Sequence, residues 1–287
     1  MSIIVNNLCY SYKKGTPFEK KVLHNIDLQI NDGEFVGIIG PTQSGKTTLA
    51  QHFNALLLPQ TGKVTVNNCD TADKKANLVN LRHKVGYIFQ NPDYQLFAPT
   101  VGEDISFGPK NQKLGAVEIE SLVSEVMTQV GLDFDTFYKR DIFALSGGQK
   151  RRVAIAGVLA CRPQILILDD ITAGLDPLGR EEILAVIKKL HQEQQITILF
   201  ISNSMDEVTE FAERIIVLDN GMIALDGATR SVFSQSKKLQ EIGLELPEVM
   251  NIAEKLRQCG FNLPSALLNP TEALASIAAA LQEGRVK

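Results

Sequence analysis

An α/β fold built around a parallel sheet is predicted by three features of the 287-residue sequence. Residues 40–47 fit the pattern G-x-x-x-x-G-K-[ST], with an apolar strand predicted at 34–39 and a helix at 48–57. Ile165–Asp169 is wholly apolar up to its final acid, as expected of a parallel strand buried on both faces. From there to Leu218, helical and strand patterns alternate, which is typical of α/β proteins.

The phosphate loop (residues 40–47) is predicted to hold a nucleoside triphosphate. In a strand–loop–helix of this kind, backbone N–H groups and the helix N-terminus point at the phosphates. Lys46 would reach the outer phosphates, and the Thr47 hydroxyl would contact Mg²⁺. The alternative is a tight turn without a ligand, but the strand and helix on either side favour the nucleotide. The predicted nucleotide-binding residues here are Gly40, Pro41, Thr42, Gln43, Ser44, Gly45, Lys46, Thr47 and Thr48.

The composition restricts the class of protein. A net charge of −4 and a pI near 5.7 offer no basic field for nucleic acid or anionic lipid, so no nucleic-acid partner is expected. Four dispersed cysteines without a C-x-x-C pair favour reduced thiols in a cytosolic protein over disulfides or a zinc site. No apolar run of eighteen residues and no secretion signal are evident, so a membrane role is expected to come through a partner.

Strands are expected in the first third of the chain and helices in the middle. The β-type runs lie at 3–5, 8–12, 26–30, 64–66 and 85–89. Helical periodicity at 119–130 and 153–159 predicts a helical insertion at about 91–162 between two sheet strands. The elements predicted next are a helix at 180–194, a strand at 197–202, a helix at 205–213 and a strand at 214–218.

A change of composition near residue 236 predicts a nucleotide-binding domain at 1–235 and a small C-terminal domain at 236–287. Two helices are expected in the tail, one at 248–259 between two Leu-Pro pairs and one at 271–281 with Thr271 as its N-cap. Their apolar faces are equally compatible with covering the core and with forming a dimer.

Polar residues are predicted at the carboxyl edge of the sheet, where ligands bind in open α/β folds. Asp169 ends its strand there and suits a water-mediated hold on the Mg²⁺ that Thr47 also contacts. Gln90 ends another strand and can bring its amide oxygen near the same ion or the attacking water. The predicted metal site therefore consists of Thr47, Gln90 and Asp169.

A second helix end that can receive an anion is predicted at Ser146. This residue is a good N-cap, and the glycines after it leave the first helical amides uncovered. The residues concerned are Ser146, Gly147, Gly148 and Gln149. Either both helix ends bind one nucleotide within one chain, or each faces a nucleotide held by a second copy.

In this order the motifs resemble those of the ATP-binding-cassette (ABC) ATPases, and the similarity covers residues 2–234. The motifs are the phosphate loop, the strand end at Gln90, the signature segment (residues 145–149), 165–170, 173–176 and the strand end at 202–203. The resemblance implies a P-loop NTPase of the ABC nucleotide-binding type, with a RecA-like mixed sheet, an antiparallel β subdomain, a helical insertion and a small α-rich C-terminal domain.

The same resemblance implies ATP and Mg²⁺ as cofactors and a head-to-tail dimer. The phosphate loop of one subunit and the signature segment of the other would sandwich each ATP. Tyr12 would stack on the adenine, and a place in the sheet core is the alternative for this residue.

Within the superfamily, the chain resembles the ATPases of energy-coupling factor (ECF) vitamin importers. The similarity lies at 15–19, 91–97, 100–101, 105–109 and in the tail after Leu239. The implied partners are a second, paralogous ATPase, a transmembrane scaffold docking near Asn91 to Phe107, and a membrane-embedded substrate-binding subunit. The chain would then lie at the cytoplasmic face of the cell membrane. Local core packing is the alternative for Tyr94, Leu96, Phe97 and Val101.

The predicted catalytic residues are Asp170, Asn203 and Gln90. Three departures from the family pattern affect the nucleotide site, at Asp170, Asn203 and Gln43. Asp170 replaces the glutamate that polarises water, and a shift of about 1 Å can cost on the order of 100-fold in rate. Asn203 replaces a histidine; its amide can still hydrogen-bond the γ-phosphate but can neither carry a positive charge nor shuttle a proton at neutral pH. Gln43 replaces a glycine and can strain the loop.

We therefore expect slow hydrolysis at this site and an intact signature segment that serves the partner's nucleotide. The alternatives are a cobalt or nickel importer ATPase and a hydrolysis-deficient, nucleotide-sensing dimer module.

Overall fold

A computed structural model describes residues 2–282 of the chain. The chain forms two compact units, each held together by contacts within itself. The first unit is the chain up to Glu34 together with Thr47–Ile201, and the second is Phe35–Lys46 together with the chain from Ser202 onward. The strands are β1 (Ile3–Tyr12), β2 (Lys20–Ile30), β3 (Phe35–Ile39), β4 (Thr61–Val66), β5 (Cys69–Asp70), β6 (Val85–Ile88), β7 (Ile165–Asp169), β8 (Thr197–Ile201), β9 (Arg214–Asp219) and β10 (Met222–Ala228).

Helices occupy the middle and the end of the described chain. They are α1 (Lys46–Phe53), α2 (Leu78–Lys84), α3 (Val101–Asn111), α4 (Ala116–Gln129), α5 (Phe134–Phe137), α6 (Gly147–Leu159), α7 (Pro177–Gln194), α8 (Met205–Phe211), α9 (Thr229–Phe233), α10 (Ser236–Glu241), α11 (Glu248–Gln258) and α12 (Pro270–Gln282). None of these described helices combines the length and hydrophobicity needed to cross a membrane.

An antiparallel sheet in the first unit has the strand order β2-β1-β4-β5. The two predicted runs at 3–5 and 8–12 are one continuous strand, which corrects that prediction. The pairing of β1 with β2 shifts register between Val5 and Leu8, and Asn7 between them has a φ of 46°. A β-bulge of this kind lets a strand continue through an extra residue.

Three parallel strands of the first unit position two of the predicted metal ligands, Asp169 at the end of β7 and Gln90 just after β6. β7 lies between β6 and β8, with Leu168 opposite Ile88 on one side and Phe200 on the other. All three strands are buried along their whole length, as the apolar run at 165–168 predicts. Between β6 and β7 the chain forms α3, α4, α5 and α6. Because β6 and β7 are parallel neighbours, their carboxyl ends lie side by side.

The second unit contains β3 parallel to β9, and β10 antiparallel to β9. Its last two helices share a small core of Ala253, Leu263, Leu267, Ala273 and Ala280. The tail therefore has a core of its own, and Leu274 on α12 remains exposed. Covering the main core and forming a dimer both stay predictions.

Two helix boundaries differ from prediction for local reasons. α12 begins at Pro270, and the Asn269 side chain accepts a hydrogen bond from the Glu272 N–H, so the prediction of Thr271 as the cap is wrong. α1 ends at Phe53 rather than at residue 57, because Ala55 adopts a left-handed φ of 54°.

A first prediction concerns the close contact between β6 and α6. A methyl group on Gly86 would lie 2.3 Å from Val158 Cγ1, so Gly86→Ala should lower the free energy of unfolding by about 1–3 kcal/mol. Urea unfolding measures the change. Gly115→Ala is the control, since no atom lies within 4 Å of its added methyl. Equal stability of the two variants would contradict the tight contact.

Candidate functional site

The phosphate loop of the second unit wraps around the Lys46 ammonium. Lys46 Nζ donates to the carbonyl oxygens of Gly40 at 2.7 Å and Pro41 at 3.0 Å. Only glycine fits at position 40, where a Cβ would lie 2.2 Å from the Leu218 carbonyl oxygen. The side-chain amine therefore lies inside the curve of the loop, which suits it to meet an anion.

Ser44 provides the test of whether this loop fits a phosphate ligand. Its side chain is 4% exposed, and its hydroxyl has no hydrogen-bond partner among the described residues. A buried polar group left unpaired costs about 1–3 kcal/mol, and phosphate oxygens would satisfy it. Gln43 has a left-handed φ of 67°, so this glutamine occupies the kind of backbone position that glycine tolerates best.

Asp169 is bonded at both carboxylate oxygens in the first unit. Thr47 Oγ1 donates to Oδ1 at 3.2 Å, and Tyr87 Oη donates to Oδ2 at 2.6 Å. Two of the three predicted metal ligands, Thr47 and Asp169, are thus in direct contact. A hydroxyl and a carboxylate are oxygen donors of the type that Mg²⁺ prefers.

Tyr87 was not predicted to belong to the site. It lies in β6 and is almost wholly buried, and burial together with the Asp169 charge raises the pKa of its hydroxyl above the usual value. The hydroxyl therefore stays protonated and donates to the carboxylate. The one signal for it in the sequence was a tyrosine hydroxyl in an otherwise apolar strand, three residues before Gln90.

Gln90 contacts Asp170 through its amide nitrogen, which donates to Asp170 Oδ2 at 3.0 Å. The amide oxygen of Gln90 was predicted to lie near the metal ion or the attacking water, and this stays a prediction. Asp170 has a left-handed φ of 51°, and its N–H donates to the Ile201 carbonyl at 2.8 Å. Aspartate tolerates this backbone region better than most residues do. Both predicted polar residues are therefore adjacent, with the acid already accepting a hydrogen bond.

The signature segment begins α6 with a complete capping box. Ser146 Oγ accepts from the Gln149 N–H, and the Gln149 side chain accepts from the Ser146 N–H at 3.1 Å. Ser146 and Gly147 are exposed beside a cavity of about 800 Å³. A capped helix with exposed first-turn glycines is suited to meet an anion on another molecule.

Tyr12 is 38% exposed, and its hydroxyl is hydrogen-bonded to Thr48 Oγ1 at 3.1 Å. Tyr10 packs edge-on against Tyr12, with 5.1 Å between ring centroids, and against the buried His52 at 4.9 Å. This exposure leaves part of the ring accessible and is compatible with stacking on a base.

Asn203 lies in the second unit, exposed between Ser202 and the start of α8. Ser202 Oγ donates to Glu207 Oε2 at 3.0 Å, and Ser204 caps α8. Both neighbours of Asn203 are therefore fixed by hydrogen bonds, which orients the segment that carries it.

The segment predicted to dock a partner has both buried and exposed apolar residues. Leu96 and Val101 are buried, in agreement with core packing, whereas Tyr94 and Phe97 are 83% and 60% exposed. Phe97 packs edge-on against Phe107 at 4.7 Å beside a cavity of about 270 Å³. Core packing therefore holds for Leu96 and Val101, whereas docking of a partner on Tyr94 and Phe97 stays a prediction.

Comparisons with known proteins give matches along most of the chain. Residues 23–173 match the family described as ABC transporter. The chain is 48% identical over 273 residues to the energy-coupling factor transporter ATP-binding protein EcfA2 of Clostridium perfringens (strain 13 / Type A), with 95% of this chain and 96% of that protein covered. It is 44% identical over 271 residues to EcfA1 of Caldanaerobacter subterraneus subsp. tengcongensis, with 94% and 96% covered.

Two solved structures are similar in fold. cbiO1 from Clostridium perfringens, described as part of the ABC transporter complex cbiONQ, has a TM-score of 0.73 at 36% identity, covering 88% of this chain and 98% of that one. The dimeric post-hydrolysis ATP-binding cassette MJ0796, bound to ADP and Pi, has a TM-score of 0.71 at 31% identity, covering 79% and 99%. These similarities confirm the predicted fold class.

A second prediction concerns the hydrogen bond from Tyr87 to Asp169. Tyr87→Phe should lower the free energy of unfolding by about 1.5–3 kcal/mol, since a buried hydrogen bond to a charged group is lost. Chemical denaturation is the measurement. Tyr94→Phe is the matched control because Tyr94 is exposed. If both variants unfold at the same denaturant concentration, the bond contributes nothing.

A third prediction concerns His52, whose pKa is lowered by burial, against a smaller opposing effect of its bond to the Thr48 carbonyl. Below about pH 6.5 the unfolded chain takes up a proton that the folded chain does not, so stability falls by up to about 1.4 kcal/mol per pH unit. His52→Phe keeps an aromatic ring and removes this term. As the pH is lowered from 6.5 to 5, the wild type should therefore lose stability that His52→Phe keeps. Parallel pH profiles of the two proteins would disprove the lowered pKa of His52.

Proposed function

The chain belongs to the ABC transporter family as an ATPase of the ECF type, and from this we propose that it drives uptake of a vitamin or another micronutrient. The observation that carries the proposal is the Asp169 carboxylate, bonded by Thr47 at the end of the phosphate loop. In that position it suits a nucleotide-bound Mg²⁺. The chain would be a peripheral subunit at the cytoplasmic face of the membrane.

The phosphate loop would bind ATP through its backbone amides, Lys46 and the Ser44 hydroxyl. Thr47 and Asp169 would hold Mg²⁺, the aspartate through water, and the bound ion would neutralise charge on the phosphates. Tyr87 keeps the Asp169 carboxylate oriented by occupying one of its oxygens. Lys46 would exchange two carbonyl oxygens for phosphate oxygens, which gives charge-assisted bonds.

Hydrolysis at this phosphate loop is proposed to be slow. Asp170 is shorter than the family's glutamate, and its carboxylate already accepts a hydrogen bond from Gln90. Asn203 can donate to the γ-phosphate but supplies no positive charge. The signature segment, by contrast, retains its capping box. We therefore assign the chain an asymmetric role, in which it completes the active site of its partner.

The proposed ATPase partner is a paralogue that docks head to tail. Relatives named EcfA1 and EcfA2 are both similar to this chain, and the MJ0796 cassette is dimeric. A transmembrane scaffold is proposed to dock on the exposed apolar residues near Phe97 and Phe107, and a further subunit would bind the substrate in the membrane. cbiO1 is described as part of a larger complex, which supports this arrangement.

A hydrolysis-deficient, nucleotide-sensing module is the second candidate. The Gln90–Asp170 hydrogen bond and Asn203 favour it, since Gln90 and Asn203 are neither acids nor bases and the Asp170 carboxylate already accepts a hydrogen bond. In that case ATP would close the dimer without turnover at either phosphate loop. Turnover of the assembled complex distinguishes the two functions.

A fourth prediction tests the asymmetry in the complex reconstituted in liposomes. Asp170→Asn in this chain should leave ATP turnover and uptake within about twofold of wild type. The same change at the partner's corresponding acid should lower both by about 100-fold or more, as expected when a catalytic base is lost. Turnover abolished by Asp170→Asn alone would overturn the asymmetric role.

The matched variant for the signature segment is Gly147→Asp. No atom lies within 4 Å of a Cβ at Gly147, and an acid in the first turn of a helix is favourable. The folded chain should therefore be at least as stable as wild type. Turnover should nevertheless fall by about 100-fold, since the new charge repels the partner's phosphates.

A further inference from the structure

Arg151 is a buried cation in the helix that follows the signature segment. It lies in α6, five residues after the Ser146 cap, and is 5% exposed. Its Nη1 donates to the Gln90 carbonyl oxygen at 2.7 Å, and its Nη2 donates to the Ala173 carbonyl oxygen at 3.2 Å. Its Nε has no hydrogen-bond partner among the described residues. One guanidinium therefore joins α6 to two other segments of the first unit.

Both carbonyl groups belong to residues that contact Asp170. The side chain of Gln90 donates to Asp170 Oδ2, and the Ala173 N–H donates to the Asp170 carbonyl oxygen at 3.2 Å. Arg151 thus holds the backbone of the residue facing the acid and the backbone of the turn following it. The Asp170 charge also opposes the lowering of the Arg151 pKa that burial causes.

A buried cation without complete hydrogen bonding is a poor means of stabilising a fold. Desolvation of such a group costs several kcal/mol, and apolar residues of similar volume are often at least as stable. The bonds of Arg151 go to two motif segments rather than to the helix bundle around α6. Positioning of those segments accounts for the arginine better than packing does.

We propose that Arg151 is a positioning residue that couples the signature segment to the backbone around Asp170 and Gln90. The inference rests on the proposed function, in which the signature segment meets the nucleotide of a partner subunit. When that nucleotide draws the first turn of α6 towards it, the guanidinium transmits the displacement to the Gln90 carbonyl and to the turn at Ala173. The two nucleotide sites of the dimer would communicate through this side chain.

The geometry requires arginine rather than lysine. A guanidinium presents several N–H donors in a rigid plane, and two of its nitrogens bond two separate carbonyl groups here. A lysine ammonium is a point charge on a flexible stem. Arg151→Lys therefore keeps the positive charge but loses the fixed bridge.

Hydrogen exchange of the full-length chain tests the bridge directly. In Arg151→Lys, amide exchange at Ala173 and in peptides covering Gln90 should become about fivefold faster, as expected for the loss of one hydrogen bond. Exchange in the phosphate loop should stay unchanged. Arg152→Lys is the matched control, because Arg152 of the same helix bonds the Val130 carbonyl and Glu182 instead. Its faster exchange should appear near Val130.

Coupling is tested in the assembled complex. Arg151→Lys should lower kcat about tenfold and leave the KM for ATP within about twofold, since a signature segment no longer held by the bridge is misplaced at the nucleotide that the partner hydrolyses, which acts on the reaction rather than on uniform binding. Arg151→Gln, which retains a single amide donor group, is the second variant should the lysine variant not fold, and the same results are expected. Unchanged exchange near Gln90 and Ala173, or changed exchange with unchanged kcat, overturns the proposal.

These outcomes are separable from those of the proposed function. Normal turnover in Gly147→Asp would disprove the role of the signature segment at a partner's nucleotide. The exchange comparison between Arg151→Lys and Arg152→Lys would still report whether the guanidinium bridge holds Gln90 and Ala173.

Discussion

The buried carboxylate of Asp169 is the constraint on which the site of the first unit depends. A charge in this position requires hydrogen bonds, since desolvation alone costs several kcal/mol. Thr47 from α1 and Tyr87 from β6 provide them. Tyr87 pairs with Ile167 in the parallel register of β6 and β7, so its side chain is on the same face as Asp169, two residues further along. A shift of register by one residue would separate the phenol from the acid. The hydrogen bond from Tyr87 to Asp169 therefore requires the observed register of β6 and β7.

Asp169 and Asp170 are adjacent in the chain but differ in backbone conformation and in their hydrogen-bond partners. Asp169 ends β7 with its carboxylate bonded by two hydroxyl groups, whereas Asp170 adopts a left-handed φ and accepts from the Gln90 amide. The change of backbone conformation between them turns the second side chain away from the direction of the strand. In the proposed function the first acid would hold a metal, and the second is held by the amide of Gln90, whose backbone is fixed by Arg151. The bonding partners, more than the residue type, distinguish the expected roles of the two carboxylates.

The sequence was sufficient for features that depend on neighbouring residues and insufficient for those that depend on distant ones. The apolar run at 165–168 predicted a buried parallel strand, and Ser146 with Gln149 formed the expected cap because both partners lie within four residues. Tyr87 and Arg151 were missed because their partners are distant in the chain: Tyr87 bonds Asp169, 82 residues away, and Arg151 bonds Gln90 and Ala173, 61 and 22 residues away. Periodicity gives the face of an element but not the residue opposite it.

Local rules also failed where two of them competed. Thr271 and Asn269 are both acceptable N-caps, and Pro270 between them decided the outcome, because proline occupies the first helical position without losing a backbone bond. β10 was not predicted because its side chains are half exposed and its hydrophobic pattern is weak. β9 beside it is buried and has a clear apolar pattern.

The contrast between the two helix ends bears on how the free energy of ATP would be used. In the proposed function the phosphate loop binds triphosphate, whereas the acid after β7, shorter than the family's glutamate and bonded by Gln90, activates water poorly. In a dimer of the proposed kind, nucleotide held at this loop would contribute binding energy to closure and little to turnover, because only interactions that strengthen in the transition state accelerate the reaction. The signature segment would contribute mainly to turnover, since it meets the nucleotide that the partner hydrolyses. The buried arginine in α6 is then expected to matter for turnover although it touches neither nucleotide.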